Sequence, residues 1–423
     1  MLTAIVGVNW GDEGKGRMVD LLSSEYDIIV RYQGGNNAGH TVVNDKGRFI
    51  LNLLPSGILR EGTVNVMGPG MVIDLEHLVG EIAGLKEKGI KITGENLKIS
   101  DKATICLPYH KLLDALEEDR LADQKFGSTR RGIAPVYGDK YMKKTIRIGE
   151  LLNPEALRRR LFPIVEWKNL LIEKGYGKEK IDAEEIYSKI TAYGEAIKEH
   201  ITDAGEFFDA ALVQNKRIMF EAQLGALRDI DYGIFPYTSS SSTIAAYAPL
   251  GAGVPYAKLD GVIGITKAYS SCVGEGPFTV EMSGDEAEAL RRAGNEYGAA
   301  TGRARRVGAF DVPASRYGAK IQGATCLALT KLDVLSYMDK IPVCVAYEVD
   351  GKRLDGFVTD DRLYRAKPVF EYFDGFKEDI GGCRKKSELP INAVKYIEFI
   401  ERAVGVKIKY VSVGAERRDY IIM

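Results

Sequence analysis

Residues 7–16 read GVNWGDEGKG, an apolar strand precedes them, and a helix-like run, GRMVDLLSS, follows. Glycines let a backbone approach a phosphate closely, and the helix start beyond them offers free N–H groups and a positive dipole end. Lys15 adds a point charge suited to the terminal phosphates of a nucleotide. The glycine spacing is not that of a Walker A loop, and Gly16 stands where a Ser or Thr would bind magnesium. Asp12 is the unusual member. A carboxylate beside phosphates is costly unless it holds Mg²⁺ or takes a proton, so Asp12 is a candidate for either task. Its neighbour Glu13 has no assigned chemistry and serves as the natural control. The competing interpretation is a tight turn with a solvated aspartate.

Residues 31–41, RYQGGNNAGHT, hold three glycines, three side-chain amides, His40 and Thr41, with almost nothing that could build a core. Such a loop has little structural motive, and His40 can act there as a general acid or electrostatic donor near neutral pH. In CLALTKLDVL (326–335) an apolar strand runs into Thr330-Lys331-Leu332-Asp333, similar to the NKxD guanine reader of GTPases. A carboxylate can accept from both N1–H and the 2-amino group of guanine, and adenine offers no such pair. The stretch NEYGAATGRARRVGAFD (295–311) carries Arg303, Arg305 and Arg306 in a glycine-bearing loop, and arginine forks bind carboxylates. The bland alternatives are a polar turn after a strand and a solvated basic turn.

The elements that must position these loops are legible as short β-branched runs. They include Thr3–Val8, Ile28–Tyr32, Val64–Met67, Ile218–Glu221, Val262–Thr266, Cys326–Leu329, Val343–Tyr347 and Val406–Val411. Helical patterns such as Met18–Ser24 and Asp114–Leu121 lie between many of them. Near-continuous apolar strands alternating with helices predict an α/β fold, with a large, mostly parallel central sheet covered by helices on both faces. From about 150 to 215 the pattern changes. Ile186, Ile190, Tyr193, Ile197, Ile201 and Phe208 recur at helical steps, which predicts an amphipathic helix within a helical insertion in one large domain spanning 1–423.

Lys plus Arg total 58 and Asp plus Glu 59, a net charge of −1 that excludes a general polyelectrolyte binder of nucleic acid or anionic membrane. The N-terminus shows no signal-peptide pattern and no run is apolar enough for a membrane span. The five cysteines are scattered and never form a CxxC pair, which predicts a reducing cytoplasm and neither a disulfide framework nor a zinc site.

Taken together, WGDEGKG, QGGNNAGHT, the TGR-x-RR loop and LTKLD resemble the adenylosuccinate synthetase family, in that family's order. So do PSGIL (55–59), RGIAP-x-Y (131–137), DID-x-G-x-x-P (229–236), KAYS-x-x-VG-x-GPF (267–278) and LP-x-x-A-x-x-YI (389–397). The resemblance implies a GTP- and Mg²⁺-dependent ligase that joins L-aspartate to C6 of IMP. It implies that Asp12 takes the N1 proton of IMP. The 6-oxygen then attacks the γ-phosphate with help from His40, and the aspartate amine displaces phosphate from 6-phosphoryl-IMP. It places Mg²⁺ on Asp12 and the Gly39 carbonyl, and Lys15 on phosphate. GTP contacts fall on Gly11, Glu13, Gly14, Lys15, Gly16, Arg17, Gly39, His40, Thr41 and Arg305. Lys331, Leu332 and Asp333, with Ser412, Val413 and Gly414, fall around the guanine, so that about 326–423 completes that site. IMP contacts fall on Asp12, Asn37, Ala38, Thr129 and Arg303, and aspartate contacts on Ala300, Thr301, Gly302, Arg303 and Arg305. The family is homodimeric, and a basic residue from the partner chain completes each IMP site.

Three positions depart from the family pattern. Its FEGAQG appears as FEAQLG, so the IMP-binding Gln aligns with Leu224 while Gln223 sits one position earlier. The partner-chain Arg aligns with Lys143, which keeps charge and loses the fork. A family Thr aligns with Ser239, which keeps a hydroxyl. The first departure leaves two alternatives: Gln223 supplies the amide, or the purine nucleotide is a modified one. A regulatory GTP-binding protein without ligase activity is the alternative from another class.

Overall fold

The computed structural model describes every residue except Asp45, Lys46, Ala299, Ala300, Thr301 and Arg303. Ten strands of the described chain form one sheet. In chain order they are β1 (Leu2–Gly7), β2 (Ile28–Arg31), β3 (Val64–Met67), β4 (Leu97–Ser100), β5 (Ile201–Thr202), β6 (Ile218–Glu221), β7 (Gly261–Lys267), β8 (Cys326–Thr330), β9 (Ile408–Ser412) and β10 (Tyr420–Ile422). Their spatial order is β10-β9-β8-β7-β1-β6-β2-β3-β4-β5. All neighbours pair in parallel except β9 with β10. The large, mostly parallel α/β sheet expected from the sequence is therefore present.

Both faces of the sheet are apolar, as a parallel sheet requires. Ile5, Ile29, Met219 and Ile265 pack with Met18 and Val19 of helix α1 (Lys15–Leu22) on one face. Ala4, Val6, Val30 and Phe220 alternate with them and pack with Phe208 and Ala248 on the other. Strand order reverses on either side of β1, so the loops leaving β1, β2, β6, β7, β8 and β9 gather at one edge. That carboxyl edge beside a reversal is where open α/β sheets bind ligands. Lys340–Val349, expected as a strand from Val343–Tyr347, lies in a separate sheet with Phe310–Asp311, Lys352–Leu354 and Lys367–Asp374.

The periodic run from Ile186 to Phe208 is not one helix. A helix covers Ala183–Ile197, a tighter 3₁₀ turn follows over Lys198–His200, and Ile201–Thr202 adds the edge strand β5 beside β4. A second helix, Ala204–Val213, starts where Asp203 accepts hydrogen bonds from the Gly205 and Glu206 amides. The helical period continues across this break because each piece buries one face, and the cap at Asp203 restarts the helix.

Candidate active site

The glycine loop expected to bind phosphate is held from inside. Glu13 is buried; its Oε1 accepts from the backbone N–H of Gly11 at 2.8 Å and of Asn9 at 3.2 Å, and its Oε2 meets Lys15 Nζ at 2.7 Å. Glu13 is therefore not a spectator beside Asp12 but the carboxylate that shapes the loop. Thr330 Oγ1, at the end of β8, donates to the Glu13 carbonyl at 2.7 Å and ties the loop to the Lys331–Asp333 turn. Gly11 has φ +101°, and a Cβ there would press on Leu224 Cα at 3.2 Å. Gly14 ends the loop at φ +97° as the α1 N-cap, leaving Lys15 and Gly16 in the first turn. A Cβ on Gly16 would lie 2.9 Å from His40 Cβ, so glycine there lets the second loop sit against the helix start.

Asp12 itself adopts φ +58° and stays 32% exposed at its side chain, facing Arg305, whose Nε lies 3.2 Å from Asp12 Oδ2. Arg305 Nη1 is held by Glu296 Oε2 at 2.8 Å. Glu296 is fully buried and also takes Lys267 Nζ at 2.7 Å and the Tyr269 hydroxyl. Burial alone would raise the Glu296 carboxyl, but the charges of Lys267, Lys331 and Arg305 bring it down to about 2. It is thus an anionic hub beneath the arginine.

His40 opens the strand His40–Asn44 and is buried. Its Nδ1 lies 2.7 Å from Glu221 Oε1, at the end of β6. Glu221 also accepts from the Ser56 amide at 2.8 Å and the Ser56 hydroxyl at 2.6 Å. Arg31, the β2 register partner of Glu221, lies on the same sheet face and is completely buried. Burial pushes the Glu221 carboxyl up, but His40, the Arg31 charge and Ser56 together take it below the usual range. Burial holds the His40 imidazole below its ordinary pKa, aided by Arg31 and Lys15 and opposed by Glu221. In the free protein the ring is therefore neutral near pH 7, with Nδ1–H donated to the carboxylate. The sequence singled out His40 and missed Glu221; an acid closing an apolar strand was the available signal.

In the turn expected to read the base, Lys331 adopts φ +61°, and its Nζ donates to the Gly294 carbonyl at 2.5 Å. Burial lowers its pKa and raises that of Asp333. The Leu332 amide donates to the Ser412 carbonyl at 3.3 Å, which joins this turn to Ser412, Val413 and Gly414 after β9. Arg17 points to that same segment, donating to Ser412 Oγ and the Gly414 carbonyl, both at 2.5 Å.

The IMP candidates divide. Asn37 Oδ1 accepts from Gly35 N, the Ala38 carbonyl takes Asn52 Nδ2 at 3.2 Å, and Gly39 and Thr41 are partly buried beside them. Thr129 is exposed on a loop whose ends are tethered by Asp114 and Glu118. Ser239 Oγ pairs with Ser241 Oγ at 3.3 Å, and Ser241 donates to Gln33. Gln223 is fully buried and donates to the Gly35 carbonyl at 2.8 Å. Leu224 takes φ +58° and packs over Gly11, only partly buried. Lys143 caps helix Ile133–Met142 at φ +62° and is exposed, next to Tyr141 and Met142, 79% and 56% exposed. Gly302 is exposed at φ +66°. Ala300, Thr301 and Arg303 lie outside the described residues.

A parallel sheet that gathers a phosphate loop, a carboxylate-held imidazole, an aspartate facing an arginine, and a lysine–aspartate turn defines a nucleotide-dependent enzyme of the ligase type. The sequence profile of the adenylosuccinate synthetase family matches residues 4–421. An adenylosuccinate synthetase from Streptococcus gordonii is 43% identical over 414 residues, 98% of this chain and 96% of that one. The solved structure of the fully ligated adenylosuccinate synthetase from Plasmodium falciparum superposes with a TM-score of 0.93 at 35% identity, covering 100% of this chain and 99% of that one. The succinoaminodeoxyadenylate synthetase of cyanophage S-2L, solved with dGMP and dATP, shares the fold at a TM-score of 0.61 and 18% identity, covering 100% and 95%. The chain belongs to the adenylosuccinate synthetase family, whose reaction is the GTP-dependent ligation of L-aspartate to IMP in purine biosynthesis. No helix among the described residues is long and apolar enough to cross a membrane.

Proposed function

We propose that this site performs the family's ligation through the residues named above, in two steps. The observation that carries this reading is the convergence of Asp12, His40 and Arg305 on one phosphate loop. Asp12 takes the proton from N1 of IMP as the 6-oxygen attacks the γ-phosphate of GTP. Lys15 and the first-turn amides of α1 hold the phosphates. Glu221 keeps the His40 ring oriented. The anionic nucleotide raises the affinity of His40 Nε2 for a proton, and Nε2–H then donates toward the departing β-phosphate oxygen. The aspartate amine next displaces phosphate from C6. Its carboxylates are held by the 300–305 loop, where Glu296 fixes Arg305. Thr129, Asn37, Ala38 and Ser239 surround IMP, and Lys331, Asp333 and 412–414 read guanine.

Asp12 and the Gly39 carbonyl would hold Mg²⁺. Both are hard oxygen donors, and among the described residues no cluster of three or more acidic, His or Cys side chains forms an all-protein cage, so phosphate oxygens would complete the set. When bound, the ion neutralises charge on the transferring phosphoryl group. We further propose a homodimer in which Lys143 reaches the partner's IMP site, since exposed Tyr141 and Met142 give that helix end an apolar surface to cover. Five free thiols support a reducing cytosol.

The test is GTP consumption in the presence of Mg²⁺, IMP and aspartate. Dependence on both IMP and aspartate is expected, and consumption without either would point to a switch or hydrolase instead. With aspartate absent, IMP should still drive scrambling of the β–γ bridging oxygen of GTP, and Asp12→Asn should abolish it. Scrambling at the unmodified rate in Asp12→Asn would remove Asp12 as the base.

A further inference from the structure

We infer that Arg17, expected from the family resemblance as a GTP contact, acts instead as a positioning residue, one half of a reciprocal clasp that fixes the distance between the phosphate and base subsites. Both terminal nitrogens of its guanidinium are occupied by the segment after β9. Nη1 donates to Ser412 Oγ and the Gly414 carbonyl at 2.5 Å each, and Nη2 to the Glu416 carbonyl at 2.5 Å and the Asp419 carbonyl at 3.1 Å. The tie is returned in the other direction. Arg417, within that segment, forks onto Asp20 of α1, with Nε to Oδ2 at 2.8 Å and Nη2 to Oδ1 at 2.6 Å. Asp20 is almost fully buried, while the Arg417 side chain stays 37% exposed, so the fork reaches in from the surface onto a buried carboxylate.

The segment is also braced internally. Asp419 Oδ2 accepts from the Glu416 amide at 2.8 Å, and its Oδ1 meets Arg384 Nη2 at 2.9 Å. Ser412 Oγ donates to the Gly414 carbonyl at 3.1 Å. The Leu332 amide binds the Ser412 carbonyl, so the same segment supports the turn that carries Asp333. The helix whose first turn faces phosphate and the loops that face the base are thus one clamped unit. Two forks set that unit's spacing, and a lysine at position 17 would keep charge but lose the fork. A ligand that must match both ends gains affinity when the ends are pre-positioned.

This inference rests on the GTP site proposed above, and its test separates the two. The variants are Arg17→Lys, Arg17→Met and Asp20→Asn, which cuts the clasp from the opposite side. Calorimetric titration with GDP and IDP reads the base subsite without requiring activity. Each variant should weaken GDP by roughly 10- to 100-fold, the loss expected when a charge-assisted hydrogen bond to a positioned group is removed. The GDP/IDP affinity ratio should collapse towards one, because IDP lacks the 2-amino group. Arg17→Lys should fall between the wild type and Arg17→Met. In turnover assays KM for GTP should rise while kcat and KM for IMP and aspartate change far less. Unchanged GDP affinity and GDP/IDP ratio in folded Arg17→Lys and Asp20→Asn would overturn the clasp, as would equal losses for IMP and GTP. Wild-type protein that binds GDP but consumes GTP without IMP would overturn the ligase reading and leave the binding comparison standing.

Discussion

Replacing Glu221 with glutamine tests whether the imidazole or merely its loop matters. The carboxylate accepts three hydrogen bonds: the Ser56 amide on Oε2, and the Ser56 hydroxyl and His40 Nδ1 on Oε1. An amide has one acceptor oxygen. The Ser56 backbone N–H cannot turn away, whereas its hydroxyl can, so the glutamine oxygen must face Ser56 N and its NH₂ must face His40. Nδ1 then becomes an acceptor and the ring proton moves to Nε2. The same change deletes the negative charge 2.7 Å from the ring, which opposes the effects of burial, Arg31 and Lys15 on its pKa. A tenfold loss accompanies each pKa unit of about 1.4 kcal/mol, and general acid help is worth roughly 10²–10⁴-fold. Phosphoryl transfer in Glu221→Gln should therefore fall by about 10²–10³-fold, with the affinity for IMP within a factor of about three. The assay is bridging-oxygen scrambling of GTP with IMP present and aspartate absent, measured across pH. Of the two carboxylates whose charges act on buried Arg31, Glu221 and Glu81, this variant removes one, so thermal melting accompanies the assay. Glu221→Asp keeps the charge and serves as the second variant. A folded Glu221→Gln protein that scrambles GTP at the wild-type rate with an unchanged pH profile would sink the dyad.

Four further outcomes are expected. Asp333→Asn should weaken GTP and favour xanthosine triphosphate, shifting their ratio by up to about 10⁴-fold; unchanged GTP affinity would take Asp333 out of the site. Gln223 is buried against Gly34 and Gly35 and donates to the Gly35 carbonyl, so Gln223→Ala should lower the melting temperature with little change in KM for IMP. Leu224→Gln should restore an amide to the cleft and lower that KM by roughly 2–10-fold, and a KM unmoved by Leu224→Gln would place the residue outside the purine pocket. Asp311 is fully buried with Tyr347 and the Ala314 amide, and burial lifts its carboxyl to about 6. A carboxyl raised on folding adds stability below its unfolded pKa, near 4, and loses it as pH rises through about 6. Asp311→Asn should therefore gain on the wild type by on the order of 3 kcal/mol between pH 4 and 7.5, read as a pH-dependent difference in melting temperature; a difference that is flat with pH would refute the titration.

How far the chain is legible depends on whether a signal is local. Strands β1, β2, β3 and β6 stand within a residue of their apolar runs, because a strand buried on both faces must be apolar throughout. The two-residue β5 carries no such signal, since its Ile201 also fits the helical period before it. The glycine loops announce themselves through residues that no core would choose. Glu221 does not, because its partner His40 lies 181 positions away and nothing in either segment names the other. The same holds for Arg17 and the segment beyond Ser412. FEAQLG is the instructive case. Strand alternation would make a one-residue slip exchange the two faces, and the amide question could then be settled from the letters alone. In the fold, β6 ends at Glu221, and Leu224 turns through φ +58° in the loop that follows. Alternation no longer applies there. Gln223 fills the space that Gly34 leaves by lacking a Cβ, its Nε2 donates to the Gly35 carbonyl at 2.8 Å, and its own backbone carbonyl accepts from Gln33 Nε2 at 2.9 Å. A fully buried glutamine whose amide N–H₂ is already bound to the Gly35 carbonyl is poorly placed to serve a ligand, which is why the IMP site proposed above draws on Asp12 and the loops around Asn37, Thr129 and Ser239, with Leu224 supplying shape rather than a hydrogen bond.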